Sequence, residues 1–139
     1  MITFDTETIR LINMFENLAQ VTVKDCVLDK ENNTVIFIVG ENEAGYAIGR
    51  GGNKIRIIEK LINKKIKVFE YSPNLKKFVK NLIPYATNIS IEEKDGGKIV
   101  KIWVDKLNKF HVIGRNKRNL KLYKLILERN HRVKDLIVK

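Results

Sequence analysis

The beginning of the chain shows a helical hydrophobic pattern followed by two strand-like segments. The segment "ETIRLINMFENLAQ" places Ile9, Leu11, Ile12, Phe15 and Leu18 at the spacing of one apolar helix face. The segments "VTVKDCVLD" and "TVIFIVG" are rich in β-branched residues and are separated by the turn-prone "KENN". The pattern therefore predicts a helix followed by a β-hairpin.

A glycine cluster separates the next two helical segments. The pattern predicts a short helix over "ENEAGYAIG" and a longer one over "NKIRIIEKLIN", with Gly49, Gly51 and Gly52 between them. The segment "KKIKVFEY" is rich in β-branched and aromatic residues and predicts a closing strand. The predicted order is α-β-β-α-loop-α-β.

The same order occurs again 65 residues later. Gly49 then aligns with Gly114, and the strand segment that ends in Val39 aligns with the one that ends in Val104. The predicted elements of the second copy are a helix over "NLKKFVKNLIPY", a hairpin "NISIEEKDGGKIVKIWV" that turns at Asp95-Gly96-Gly97, helices over "DKLNKFHVIG" and "KRNLKLYKLILERN", and a strand over "RVKDLIV". The chain is therefore predicted to be an α+β protein made of two related units.

Ser72-Pro73 is the predicted boundary between the units 1–72 and 73–139, because Pro73 suits the first turn of a helix. Each unit is small for an independent core. We therefore expect the two units to pack as one rigid body.

Composition narrows the function further. The single cysteine, Cys26, excludes a disulfide framework and favours a reducing, cytoplasmic compartment, and no segment has the apolar length of a membrane helix. His111 and His131 stand apart from any triad-like arrangement, and the acidic residues show no metal-ligand spacing. The sequence predicts no enzyme, no cofactor, no metal and no small-molecule substrate.

Positive charge is concentrated in two blocks. The net charge is +11, but residues 1–46 carry three Lys/Arg against eight Asp/Glu. Residues 47–67 carry seven against one, and residues 114–139 carry nine against two. Each block begins beside an Ile-Gly-Arg triplet. This arrangement favours a localised surface that attracts anions over basic residues that only keep the protein solvated.

The glycine cluster and the first basic block together predict a phosphate site. Glycine tolerates positive φ, and a helix N-terminus presents unpaired N–H groups to an anion. Cationic and amide side chains surround that position. The predicted binding residues of the first unit are Gly49, Arg50, Gly51, Gly52, Asn53, Lys54 and Arg56.

The element order, with "IGRGGNKIRIIEKL" at its centre, resembles a type II KH domain, a module that clamps about four nucleotides of single-stranded RNA. The resemblance covers essentially the whole chain as two tandem KH units, each a three-stranded sheet covered by helices. The coupled pair looks most like that of the NusA transcription factors in their short archaeal form. This resemblance implies a role in transcription elongation or termination, with single-stranded RNA as ligand and RNA polymerase or other transcription machinery as partner.

The second unit departs from the KH loop motif. Its predicted binding residues are Gly114, Arg115, Asn116, Lys117 and Arg118, and Lys117 stands where the first unit has Gly52. We expect the side chain of Lys117 to obstruct close approach of a phosphate to the backbone. The second unit should then hold RNA mainly through charge.

Two alternative functions use the same features. A ribosome-associated or ribosome-assembly protein of the KH fold would also bind RNA through these loops. A binder of anionic membranes or acidic proteins would use the basic helices and would not need the glycines. Trp103 could stack on a base, although burial between the units is the favoured interpretation, and Tyr46 could flank the nucleotide path or pack its short helix.

Overall fold

The computed structural model of the chain describes residues 4–139, and the chain divides into two compact units, Met1–Ser72 and Pro73–Lys139. The first unit contains α1 (Thr6–Ala19), β1 (Val23–Asp29), β2 (Thr34–Val39), α2 (Ala44–Ile48), α3 (Asn53–Ile62) and β3 (Lys65–Glu70). The second contains α4 (Leu75–Leu82), β4 (Ala86–Lys94), β5 (Gly97–Val104), α5 (Lys106–Ile113), α6 (Arg118–His131) and β6 (Val133–Val138). The predicted α+β class and the predicted element order in each unit are confirmed.

Each unit has one three-stranded sheet with the same topology. The strand orders are β1-β2-β3 and β4-β5-β6; the first two strands of each sheet pair antiparallel and the third is parallel to the second. A parallel pair requires a crossover connection, which α2 and α3 provide in the first unit and α5 and α6 in the second. The glycine-containing loops lie inside these crossovers.

Short turns with positive φ shape the second hairpin as its sequence predicts. β4 ends at Lys94 and β5 begins at Gly97, so that only Asp95 and Gly96 connect them. Their φ angles are 52° and 76°. Positive φ at both central residues is the type I′ arrangement that matches the twist of an antiparallel hairpin.

The core of the first unit is anchored by two stacked rings. Phe15 of α1 and Phe37 of β2 are fully buried, with ring centroids 4.0 Å apart and an interplanar angle of 8°. The buried face of α1 consists of Thr8, Leu11, Phe15 and Ala19. Ile9 and Leu18 are exposed, so their expected place on the apolar face is wrong. Since a helix turns about 100° per residue, they lie outside the narrow stripe that faces the sheet.

Trp103 is also exposed, which contradicts the expectation that its side chain is buried. Ile102 and Val104 of β5 are buried, whereas 36% of the Trp103 surface is exposed. Its matched residue, Ile38, is fully buried because β2 is buried at all six of its positions. β5 instead alternates at its end between buried and exposed residues, so the repeat does not transfer burial from Ile38 to Trp103.

Side-chain caps define the starts of α1 and α4. Asp5 accepts a hydrogen bond from the Thr8 backbone N–H at 2.8 Å, and this bond lowers the pKa of the Asp5 carboxyl. Asn74 accepts one from the Lys77 N–H at 3.0 Å, so that α4 begins at Leu75. Pro73 therefore precedes the cap, and its expected place in the first helical turn is wrong.

Among residues 4–139, no helix is both long and apolar enough to cross a membrane.

Candidate nucleic-acid interface

The first loop, Gly49–Gly52, has a backbone that suits glycine at three of its four positions. The φ/ψ angles are 78°/174° at Gly49, 61°/21° at Gly51 and 76°/12° at Gly52. The Gly52 N–H donates to the Gly49 carbonyl at 3.2 Å and closes a single turn between α2 and α3. Positive φ is sterically cheap only for glycine, which accounts for the glycine content of this segment.

The glycines differ in the space around them. A β-carbon on Gly49 would lie 2.7 Å from Cβ and 3.0 Å from the backbone nitrogen of Lys54, at the start of α3. A β-carbon on Gly51 would meet nothing within 4 Å. Gly49 therefore allows the loop to pack on the helix, whereas Gly51 lies on the open side, where a ligand can approach the backbone.

The second loop, Gly114–Lys117, repeats this backbone with fewer glycines. The φ/ψ angles are 76°/169° at Gly114, 56°/31° at Asn116 and 61°/24° at Lys117. A β-carbon on Gly114 would lie 2.8 Å from Cγ and 2.9 Å from the backbone nitrogen of Asn119, as at Gly49 in the first loop. The second loop thus keeps the shape of the first while placing two side chains on its surface.

The helices that follow the loops begin without a side-chain cap. Gly52 precedes α3 and Lys117 precedes α6, and neither N-terminus receives a side-chain hydrogen bond at the capping position. This contrasts with the capped starts of α1 and α4. The N–H groups of Asn53 and Arg118, the first residues of these helices, donate instead to the carbonyls of Arg50 and Arg115 in the loops. Each loop therefore joins its helix by a backbone turn, at the positive end of the helix dipole, which attracts an anion.

Two of the three cations predicted for the first loop stay close to it. Arg50 lies in the loop and is exposed, and Arg56 donates from Nη1 to the Gly51 carbonyl at 2.8 Å. Lys54 instead donates from Nζ to the Ala19 carbonyl at 3.1 Å, so its ammonium group is directed to the end of α1. Asn53 is exposed as the first residue of α3.

In the second loop the polar side chains face solvent. Arg115, Asn116 and Lys117 are exposed, and Arg118 is half-buried at the start of α6. Asn119, which matches Lys54 in the repeat, donates from Nδ2 to the His111 carbonyl at 2.8 Å. Both units therefore hold the first turn of the loop-following helix against the end of another helix.

Aromatic and apolar side chains near the loops are exposed. Tyr46 of α2 is 70% exposed, and Ile57 and Leu61 of α3 are exposed too. In the second unit, the rings of Tyr85 and His111 are nearly parallel, with centroids 6.4 Å apart and an interplanar angle of 22°. The sequence did not predict the contact between Tyr85 and His111, because the two residues are 26 positions apart and no periodicity relates them.

The residues that could serve a metal are dispersed. Within the described range 4–139, no three His, Cys, Asp or Glu side chains come together as a metal-binding group. The chemistry of the loops is thus that of amide donors and cationic side chains, which bind anions.

Comparisons with known proteins agree with this geometry. A family model described as the KH domain matches residues 11–94. A protein of Methanocaldococcus jannaschii named probable transcription termination protein NusA is 35% identical over 96% of this chain and 73% of its own length. A protein of the same name from Thermoplasma acidophilum is 31% identical over 99% of this chain and 96% of its own length.

A solved structure, the crystal structure of APE1850, is 38% identical, with a TM-score of 0.80 over 98% of this chain and 100% of that chain. Two sheets in the type II order, each with a loop and an uncapped helix in its crossover, define a KH-type nucleic-acid-binding protein. The chain belongs to the KH domain family and is an RNA-binding, NusA-like protein of the archaeal type.

Proposed function

We propose that the chain binds single-stranded RNA during transcription elongation or termination and that the first loop is the principal phosphate clamp. The observation that carries this proposal is the pairing of an open glycine backbone at Gly51 with an uncapped start of α3. Support for the transcription role comes from relatives named probable transcription termination protein NusA.

The first loop offers both contact and charge to a phosphodiester. A phosphate beside Gly51 meets no β-carbon at that position and lies close to the positive end of the α3 dipole. Arg56 is held in place by the Gly51 carbonyl, so less side-chain entropy is lost when its guanidinium meets a phosphate. Arg50 adds a second exposed guanidinium. The exposed apolar side chains of α3 give the attached bases a surface to lie on.

The second loop should bind RNA less closely. Its backbone has the same shape, but Lys117 carries a β-carbon and a long side chain at the position of Gly52. Lys117 and Arg115 still supply positive charge, which acts over about 8 Å in physiological salt. The first loop therefore supplies the short-range contacts, and the second adds longer-range attraction.

The test compares matched charge reversals in the two loops. The first variant is Arg50→Asp with Gly51→Asp, and the second is Arg115→Asp with Asn116→Asp. A side chain fits at position 51, since nothing lies within 4 Å of a β-carbon there and Asn116 adopts the same conformation in the second loop. Each substitution pair can therefore be introduced without repacking a helix.

Fluorescence anisotropy with a labelled single-stranded RNA measures the effect. We expect the first variant to lose about 10-fold or more in affinity, the scale of a lost hydrogen bond to a charged group, and the second variant to lose clearly less. Circular dichroism should be unchanged in both. Equal losses would contradict the asymmetry, and undiminished binding in both variants would contradict the clamp and favour the basic helices alone.

The transcription role needs a separate experiment, because both loops could serve any single-stranded RNA. Affinity capture with the tagged full-length chain should recover RNA polymerase or other transcription machinery. Recovery of ribosomal subunits in its place would favour the ribosome-associated alternative. The loop variants serve as controls for capture that RNA alone mediates.

A further inference from the structure

We propose that three aromatic side chains beside the second loop, Tyr85, Phe110 and His111, form a platform on which an unpaired base of the bound RNA stacks. This aromatic platform rests on the proposed function, since it takes a base from the same RNA strand. It adds a base-binding site that is separate from both glycine-containing loops.

The three rings form a continuous series. The centroids of Tyr85 and His111 are 6.4 Å apart at 22°, and those of Phe110 and His111 are 6.5 Å apart at 70°. Tyr85 directly precedes β4, and Phe110 and His111 lie in the last turn of α5, just before Gly114. Tyr123 of α6 is close to Tyr85, and burial, followed by the effect of the Tyr85 phenol, raises the pKa of Tyr123.

The rings are accessible to a ligand. Tyr85 is 51% exposed and Phe110 is 68% exposed, and His111 is exposed as well. Large aromatic side chains usually bury most of their area, whereas Tyr85 and Phe110 leave more than half of their surface in solvent. A nucleobase that lies on these rings removes apolar area of both partners from water.

The surroundings favour a nucleotide as the occupant. Arg115 and Lys117 are exposed in the adjoining loop, and residues 114–139 carry nine Lys/Arg against two Asp/Glu. An aromatic surface bordered by positive charge matches a ligand that has both a π-face and a phosphate. A purely apolar partner would leave those charges without a counterpart.

The platform belongs to the second unit alone. The residues 65 positions before Tyr85, Phe110 and His111 are Gln20, Gly45 and Tyr46, so the first unit has one ring where the second has three. The second unit has also lost the glycine at Lys117. Base stacking would thus give the second unit a short-range contact that does not require the open backbone of the first loop.

Two experiments test the platform: the first removes aromatic rings from the protein, and the second removes bases from the RNA. The variant Tyr85→Ala with Phe110→Ala should bind single-stranded RNA about 10-fold more weakly, the scale of one lost base–aromatic stack. Tyr85→Phe alone keeps the ring and should bind as the unchanged chain does. Tyr46→Ala removes a single exposed ring of the first unit and serves as the matched control, with a smaller loss.

An abasic oligonucleotide of the same length separates stacking from charge. The variant Tyr85→Ala with Phe110→Ala, called the platform variant, should bind the abasic strand as tightly as the unchanged chain does. The salt dependence of RNA binding should be the same for both proteins, because no cation has been removed. An undiminished affinity of the platform variant for RNA, or an equal loss with the abasic strand, would overturn the inference. A different result would contradict the proposed phosphate clamp: an RNA affinity that Arg50→Asp with Gly51→Asp leaves unchanged.

Discussion

Replacement of Gly49 by alanine should destabilise the chain far more than the same change two residues later at Gly51. Gly49 has φ 78° and ψ 174°, a region that is essentially restricted to glycine and costs another residue about 1–3 kcal/mol. Its added β-carbon would also lie 2.7 Å from Cβ of Lys54. Because Cβ and the backbone nitrogen of Lys54 are fixed by the backbone of α3, relief of that clash would shift the helix start and costs about 1–3 kcal/mol more.

Gly51→Ala lacks the second contribution. Its φ of 61° and ψ of 21° lie in the left-handed region, which costs about 1–2 kcal/mol for an L-residue, and the new methyl group meets no atom within 4 Å. We therefore expect a loss of about 2–6 kcal/mol for Gly49→Ala and about 1–2 kcal/mol for Gly51→Ala.

Urea denaturation followed by far-UV circular dichroism measures both losses on the full chain. Gly114→Ala provides a replicate in the second unit, because its β-carbon would meet Asn119 at 2.8 Å. It should resemble Gly49→Ala. Equal midpoints for Gly49→Ala and Gly51→Ala would refute the reasoning, since they would show that the contact with Lys54 carries no energetic weight.

Three further predictions test the packing and the binding mode. Thermal unfolding should be one cooperative transition, because the two units are expected to pack as one rigid body, and separate fragments 1–72 and 73–139 that are each as stable as the whole would contradict this. RNA affinity should fall with salt at a log–log slope of roughly −3 to −4 for about five phosphate contacts, and a flat response, or equal affinity for duplex RNA, would contradict a single-strand clamp. Phe15→Ala should lower stability by about 3–5 kcal/mol, since it removes a fully buried ring stacked on Phe37; a loss under about 1 kcal/mol in urea denaturation would be incompatible with that packing.

The periodic parts of the fold could be predicted from the sequence because one local rule decided each of them. The repeat placed Gly114 on Gly49, and the backbone angles at these two residues agree within a few degrees. The hairpin turn followed from Asp95 and Gly96, two residues that tolerate positive φ. Features that depend on the conformational preferences of one or two neighbouring residues, such as these turns, could therefore be predicted from the sequence.

The prediction was wrong where burial depends on residues distant in sequence. Ile9 and Trp103 are apolar residues in regular elements, yet neither is buried. Lys54 lies beside the first loop as expected, but its ammonium donates to the carbonyl of Ala19, 35 residues away, a contact that the sequence did not predict. The contact between Tyr85 and His111 was missed for the same reason. Such pairings follow from the folded arrangement of helices, which hydrophobic periodicity does not encode.

The lone cysteine and the lone tryptophan of the chain fall in different units, Cys26 in β1 and Trp103 in β5. Cys26 is almost fully buried, so a thiol reagent can modify it only when the first unit opens. Trp103 is partly exposed in β5, and its fluorescence responds to loss of that strand in the second unit. The unaltered chain therefore contains two intrinsic probes, one for each half, and the two should report opening at the same time if the chain unfolds in one cooperative transition.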